Sequence, residues 1–290
     1  MNLGVLTSGN LGRDTLENIL VEYNVSFVLT DSKSEGVIAL CDQHEIPCFK
    51  GNPRNGKGFE FIKDFKVDVI VSINYLFLIE TDIIHYSAKL TFNIHGSLLP
   101  KYRGRTPHVW AIINNEKETG ITAHLIDEGC DTGPILDQIV IPIGQDVTGN
   151  DILNKYKLNY FGLVQNVLNK IETDKLVSIE QDDSLATYFG ARRPTDGLIN
   201  WNWQKERIRN WVRAQSYPYP GAFTFFNGQK ITIDKVEEFS VGFNYNIING
   251  TILEVKPNPI IKTQNGALII KDYREKVKFI KGAKLDNNEK

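Results

Sequence analysis

Cysteine is scarce in this 290-residue chain: Cys41, Cys48 and Cys130 are an odd number at scattered spacings. Such a set builds neither a disulfide framework nor a zinc signature, and it suits reduced thiols in a cytoplasmic protein. His44, His85, His108 and His124 show no metal-ligand spacing, so no essential metal is expected. No apolar run approaches the roughly 20 residues of a membrane helix. The opening segment MNLGVLTSGN has no basic stretch leading into an apolar one, and no signal peptide is expected. Charge of one sign is also lacking. Lys and Arg number 33 against 35 Asp and Glu, a net charge of -2. Nothing in that balance calls for nucleic acid or an acidic membrane. Repeats and low-complexity tracts are absent. The loop Thr7 to Arg13 contains Gly9 and Gly12 but not the full G-x-G-x-x-G spacing, which argues against NAD. A helix starting after this loop suits an anionic ligand, or the loop is a simple strand-to-helix turn.

What remains is an ordinary globular composition, 41% hydrophobic and 23% charged. The length allows one large domain and a smaller one. Leu3 to Leu6, Val25 to Leu29, Asp68 to Ile73 and Leu90 to Ile94 read as strands. Helical patterns run through Leu16, Ile19 and Leu20 and from Val37 to Gln43. This alternation predicts an α/β fold, a mostly parallel sheet with helices on both sides. Ligands then gather beyond the carboxyl ends of the strands, where Ser8 to Asn10, Asn74-Tyr75 and Asn93 to His95 lie. Ile121 to Leu125 and Ile135 to Ile143 read as two later strands. Thr148 or Asn150 caps a long helix continuing to about Ile171. Asp182 to Asn200 is a polar connection. Beyond residue 200, a helix over Trp203 to Ala214 precedes short strands at Phe223 to Phe226, Ile231 to Val236, Gly250 to Val255, Ile260 to Thr263, Ala267 to Ile270 and Val277 to Ile280. Asn227-Gly228 and Asn265-Gly266 are turn signals among them. The expected division is 1-200 and 201-290, the second part a small barrel or compact sheet. The polar tail from Asp286 to Lys290 is expected to fray.

The chemistry concentrates in Phe92 to Pro107 and Asp127 to Leu136. Asn93 and His95 stand two apart on a strand, so they share a face. Asp131 sits in a tight glycine-containing loop. By residue type, Asn93 can donate to a developing oxyanion, His95 can handle a proton near neutral pH, and Asp131 can orient the imidazole. With an amine as nucleophile, no serine or cysteine is required. The bland alternative is a capped strand end with a structural histidine.

The stretch from Asn93 to Arg105, followed by Gly120-Ile121-Thr122 and Asp131-Thr132-Gly133, resembles the 10-formyltetrahydrofolate-dependent formyltransferases. The core of the likeness runs from roughly residue 65 to 145. Asn93, His95 and Asp131 match the family's catalytic residues one by one. The segments Arg192 to Trp201 and Arg213 to Ala222 resemble the linker of the longer members. The strand-rich tail resembles the small domain of the tRNA and sugar enzymes. His95-Gly96-Ser97, Tyr102-Arg103-Gly104-Arg105 and Arg192-Arg193-Pro194-Thr195-Asp196-Gly197 look closer to the sugar N-formyltransferases.

The resemblance implies a Rossmann-like catalytic domain and an OB-like carboxyl-terminal domain. It implies 10-formyltetrahydrofolate as formyl donor, lying against Phe77, Leu78, Ile79, Arg105 and the loop Asp127, Glu128, Gly129, Cys130. On the substrate side stand Ser8, Asn10, Tyr102, Arg103 and Tyr219. Tyr219 either stacks on a pyrimidine or belongs to a rigid packed turn, and Trp201, Trp203 and Trp211 either stack or fill the core. The implied acceptor is a dTDP-linked 3- or 4-amino-dideoxyhexose destined for surface polysaccharide, with UDP-4-amino-arabinose and GDP-perosamine as alternatives. The chain ends before the oxidative domain of the bifunctional UDP-sugar enzyme, so a single-activity enzyme is expected, a homodimer through its tail or a monomer. A methionyl-tRNA formyltransferase and a non-enzymatic binding regulator are the other classes.

Overall fold

The computed structural model describes residues 1–240 and 244–286. The chain opens with β1 (Asn2–Thr7), α1 (Gly9–Glu22), β2 (Asn24–Thr30), α2 (Glu35–Gln43), β3 (Cys48–Lys50), α3 (Lys57–Ile62), β4 (Val69–Ile73), α4 (Thr81–Ile84) and β5 (Leu90–His95). It continues with β6 (Arg103–Gly104), α5 (Pro107–Ile113), β7 (Glu118–Leu125), β8 (Ile135–Pro142), α6 (Gly149–Glu172) and β9 (Tyr188–Phe189). Then come α7 (Lys205–Ala214), β10 (Ala222–Phe226), β11 (Gln229–Phe239), β12 (Ile252–Glu254), β13 (Ile260–Thr263) and β14 (Gly266–Tyr273).

The first sheet runs β3-β2-β1-β4-β5-β7-β8. Its pairs from β3 to β5 are parallel, and β5 to β7 is antiparallel. Every residue of β4 is buried, as for a strand covered on both faces. The chain winds outward through β2 and β3, then crosses back to lay β4 on the other side of β1. The order reverses there, and a crevice is expected at such a switch point, between the ends of β1 and β4. Asn74 closes it locally, its Nδ2 donating to the Ser8 carbonyl at 2.9 Å.

Thr148 caps α6. Its Oγ1 accepts the Asp151 N–H at 3.2 Å, while Asp151 Oδ2 accepts the Thr148 N–H at 2.9 Å. This reciprocal pair closes both ends of the first turn. Along the helix, Tyr156, Tyr160, Leu163, Val164, Val167 and Leu168 are buried at helical spacing.

The second sheet runs β10-β11-β14-β13-β12 and is antiparallel throughout. Asn227-Gly228 forms a two-residue hairpin loop between the paired Phe226 and Gln229, both loop residues at positive φ. The strand expected at Val277 to Ile280 does not form. Phe279 is buried instead against Phe226 and Tyr273, with ring centroids 5.6 and 5.4 Å away. The apolar alternation there records packing rather than a ladder. In the tail, Asp286 exchanges main-chain hydrogen bonds with Phe225; residues 287–290 lie outside the described residues.

The chain forms two compact units. One comprises Met1–Gly104, Thr119–Ile141 and Asn154–Phe189, and the other Arg105–Glu118, Pro142–Leu153 and Gly190–Lys290.

Candidate active site

Strand register places the central groups. Asn93 pairs directly with His124 across the antiparallel β5–β7 ladder, and His95 pairs with Thr122. Directly opposed side chains approach closely in such a ladder. Asn93 Nδ2 lies 3.1 Å from His124 Nε2. His124 Nδ1 lies 2.7 Å from the Leu125 carbonyl, which can only accept, so Nδ1 carries the proton. Nε2 is then a bare acceptor, and it takes one Asn93 amide hydrogen. Burial pushes His124 down to about 4, against the pull of Asp131, with His95 adding to the fall. The ring is neutral near pH 7, and this fixes which way the Asn93 amide faces.

The same reasoning assigns His95. Its Nε2 lies 2.8 Å from the Tyr102 carbonyl and must donate to it. Its Nδ1 faces Asp131 Oδ1 at 3.4 Å. Asp131 comes from the loop between β7 and β8 and has a left-handed φ of 58°. Its Oδ2 accepts the Gly104 N–H at 2.8 Å. Burial pushes the Asp131 carboxyl up, but the imidazole of His95, the Gly104 N–H and His124 outweigh that and hold it below its ordinary value. A carboxylate here faces two ring nitrogens, at 3.4 and 3.7 Å. A proton arriving at His95 Nδ1 would therefore be stabilised in place.

Two glycines make these approaches possible. A Cβ on Gly104, where φ is 99°, would stand 2.4 Å from the Phe189 carbonyl oxygen. One on Gly133 would stand 2.0 Å from the Leu125 carbonyl oxygen. The turn after His95 is anchored by the Tyr156 hydroxyl, which donates to the Gly96 carbonyl at 2.6 Å.

Leu78 is 61% exposed and Leu76 45% exposed, while Phe77 and Ile79 are half-buried. They form a short apolar strip beyond β4. In the loop before Asp131, Asp127 Oδ1 accepts the Gly129 N–H at 3.1 Å and the Thr132 hydroxyl at 2.6 Å. Glu128 and Cys130 are exposed. Ser8 is buried at the start of α1, and Asn10 is exposed. The Tyr102 ring stacks on Phe189 at 4.8 Å. Arg103, expected at the substrate, is 1% exposed, and its guanidinium is bonded to Gln181, Asp183 and Tyr188. In the second unit, Arg105 is exposed, and the Tyr219 hydroxyl lies 2.8 Å from His108 Nε2. Trp201 is 3% and Trp211 8% exposed, so both fill core positions.

His124, Tyr156 and Gln181 go unnoticed as functional groups in the sequence. His124 is visible there only as a histidine without metal spacing. Its partnership with Asn93 depends on the β5–β7 register. Among the described residues, no group of three or more His, Cys, Asp or Glu is placed to hold a metal ion, and no helix is long and apolar enough to cross a membrane.

Known proteins resemble this chain in sequence and fold. The bifunctional polymyxin resistance protein ArnA of Wigglesworthia glossinidia brevipalpis is 37% identical over 216 residues, 74% of this chain and 33% of that protein. The chain thus spans about a third of the length of that curated relative. WlaRD, a sugar 3N-formyl transferase whose crystal structure was determined in the presence of dTDP and 5-N-formyl-THF, superposes with a TM-score of 0.73 at 23% identity, covering 96% of this chain and 99% of that one. The N-formyltransferase of Helicobacter canadensis, in complex with folinic acid and dTDP-3-aminofucose, gives 0.72 at 23% identity over 94% of this chain and 99% of the other. The two domains of one family together match most of the sequence, the amino-terminal domain over residues 23–166 and the carboxyl-terminal domain over 192–288, and the chain belongs to the formyl transferase family.

Proposed function

We propose that the chain transfers a formyl group from 10-formyltetrahydrofolate to the amine of a nucleotide-linked amino-dideoxy sugar, with dTDP as the favoured nucleotide. The carrying observation is the His95–Asp131 pair, with Nε2 committed to Tyr102 and Nδ1 left facing the carboxylate at 3.4 Å. The fold neighbours determined with formyl-folate compounds and dTDP ligands support the choice of donor and acceptor.

The apolar strip from Phe77 to Ile79 suits a flat heterocycle, and the Asp127 to Cys130 loop offers polar groups beside it. This division of labour is usual in ligand pockets. The folate supplies the formyl carbon. Asn93 keeps one amide hydrogen beyond the one given to His124, and it is available to a developing oxyanion. His95 Nδ1 takes the proton that the amine loses, and Asp131 stabilises the resulting imidazolium. As the amine–formyl bond forms, the bond from the formyl carbon to the folate nitrogen breaks, and that nitrogen takes up the proton held at His95. The products are tetrahydrofolate and the N-formyl sugar nucleotide, which we assign to surface polysaccharide formation, in a cytoplasmic enzyme that acts as a homodimer.

Mass spectrometry of amino-sugar nucleotides incubated with 10-formyltetrahydrofolate tests the reading. A gain of one formyl group on a dTDP-linked sugar is expected. Reaction with methionyl-tRNA and no sugar overturns the acceptor class, and exclusive reaction with a UDP or GDP sugar overturns the nucleotide.

A further inference from the structure

The segment from Gln181 to Phe189 carries groups with no part in that chemistry, and they converge on the Asp131 loop. Gln181 Nε2 donates to the carbonyls of Asp131 and Gly133 at 2.9 and 2.7 Å. Its Oε1 accepts Nε and Nη2 of Arg103 at 3.2 and 2.8 Å. An amide with both hydrogens and its oxygen engaged has one orientation. Arg103 is held in turn by the Tyr188 hydroxyl at 2.5 Å and by Asp183 at 2.8 Å. The Arg103 and Tyr102 N–H groups donate to the carbonyl and hydroxyl of Thr187, each at 2.8 Å.

The peptide groups flanking Arg103 reach the reacting pair itself. The Tyr102 carbonyl accepts from His95, and the Gly104 N–H donates to Asp131. One segment therefore braces both sides of the pair: Asp131 through its main chain, and residues 102 to 104 through Arg103. The brace buries a charge. The guanidinium is 1% exposed, while its carboxylate partner Asp183 is 81% exposed. Well-packed apolar residues often serve stability as well as a buried charge does. A planar fork serves direction better. Asp131 also needs holding, because its left-handed φ of 58° is one an L-residue keeps only when its surroundings impose it.

We propose that Gln181 is a positioning residue for this site: oriented by Arg103, it sets the main-chain position of Asp131 and hence the distance from Oδ1 to His95 Nδ1. The inference rests on reading Asp131 and His95 as the reacting pair. The groups facing the Asp131 carboxyl are His95 from β5, His124 from β7, Tyr160 from α6 and Cys130 from its own loop. The test alters none of them.

Gln181→Met keeps the length of the side chain and removes both donors. With Asp131 displaced, kcat is expected to fall by on the order of tenfold to a hundredfold with KM little changed. Carbon-13 NMR of the Asp131 carboxyl, assigned by its loss in Asp131→Asn, reads the same event without any acceptor substrate. In the wild type it titrates below the ordinary carboxylate value, and in Gln181→Met it moves upward as the imidazole recedes. Gln181→Asn, which retains the amide one methylene shorter, is expected to lie between, and it serves if Gln181→Met does not fold. A lower Tm with unchanged kcat and an unmoved titration would leave Gln181 merely structural and overturn the proposal. A wild type that formylates no sugar but shows the titration difference refutes the acceptor and leaves the brace standing.

Discussion

Asp131 Oδ1 stands 3.4 Å from His95 Nδ1, too far for a strong hydrogen bond and near enough for close charge coupling. Asp131→Asn keeps the shape and removes the charge. Its kcat is expected to fall by roughly 10²- to 10⁴-fold, the usual worth of assisted proton transfer, with folate affinity retained. Steady-state kinetics with calorimetry of a stable 5-formyl folate checks both halves, and a turnover near wild type would remove Asp131 from the mechanism.

Asn93→Ala is expected to cost about 10²- to 10³-fold in kcat, the loss of one oxyanion donor. His124→Phe leaves that donor in place but removes the acceptor that orients it at 3.1 Å. Its effect is therefore smaller and becomes negligible in an Asn93→Ala background. Additive losses in the double variant would mean that His124 acts by another route.

His124 also predicts a pH dependence of stability. Its folded value of about 4 lies below the ordinary 6.5, so the unfolded chain binds the extra proton first. The share of stability that rests on His124 therefore falls as pH drops from about 6.5 toward 4, by roughly 2 kcal/mol between pH 7 and 5. His108, also pushed down to about 4 by burial, adds a fall of the same sign. Asp131, held low, is lost only below its ordinary 3.8 and adds nothing in that window. Urea denaturation at pH 7 and 5 should show a smaller pH difference for His124→Gln than for the wild type.

Gly104→Ala places a Cβ against the Phe189 carbonyl at a φ of 99°. The conformation alone is worth about 1–3 kcal/mol, and the clash adds to it. A fall in Tm with a larger fall in kcat is expected, because the Gly104 N–H also holds Asp131.

Leu78 is 61% exposed, so Leu78→Asp spares the core. If the strip after β4 covers the pterin, the Kd for 5-formyl folate rises by about tenfold or more while the Tm holds. An unchanged Kd would move the folate elsewhere.

The parallel strands were legible because each is a short apolar run closed by turn residues. Asn93 and His95 were legible because a period of two puts them on one face. The strand β3 and the helix α3 escaped notice, since a 3-residue edge strand and a 6-residue helix carry too little periodicity. Phe279 misled because burial in an irregular segment produces the same apolar signal as a strand. His124 and Gln181 were hidden for a deeper reason. Their roles depend on which strand lies opposite and on a contact between residues 50 positions apart, which no local pattern records.

The distance along the chain between Asp131 and its brace has a consequence for synthesis. Gln181 follows Asp131 by 50 residues and Arg103 by 78. At roughly 5–20 residues per second, the ribosome needs about 3–10 s to add the stretch between Asp131 and Gln181. A nascent chain that has reached Lys175 already carries Asn93, His95 and Asp131, yet nothing from the bracing segment has been made. With Gln181 as the residue that positions Asp131, the His95–Asp131 geometry is among the last features of the first unit to mature, and a product truncated before Gln181 lacks the brace.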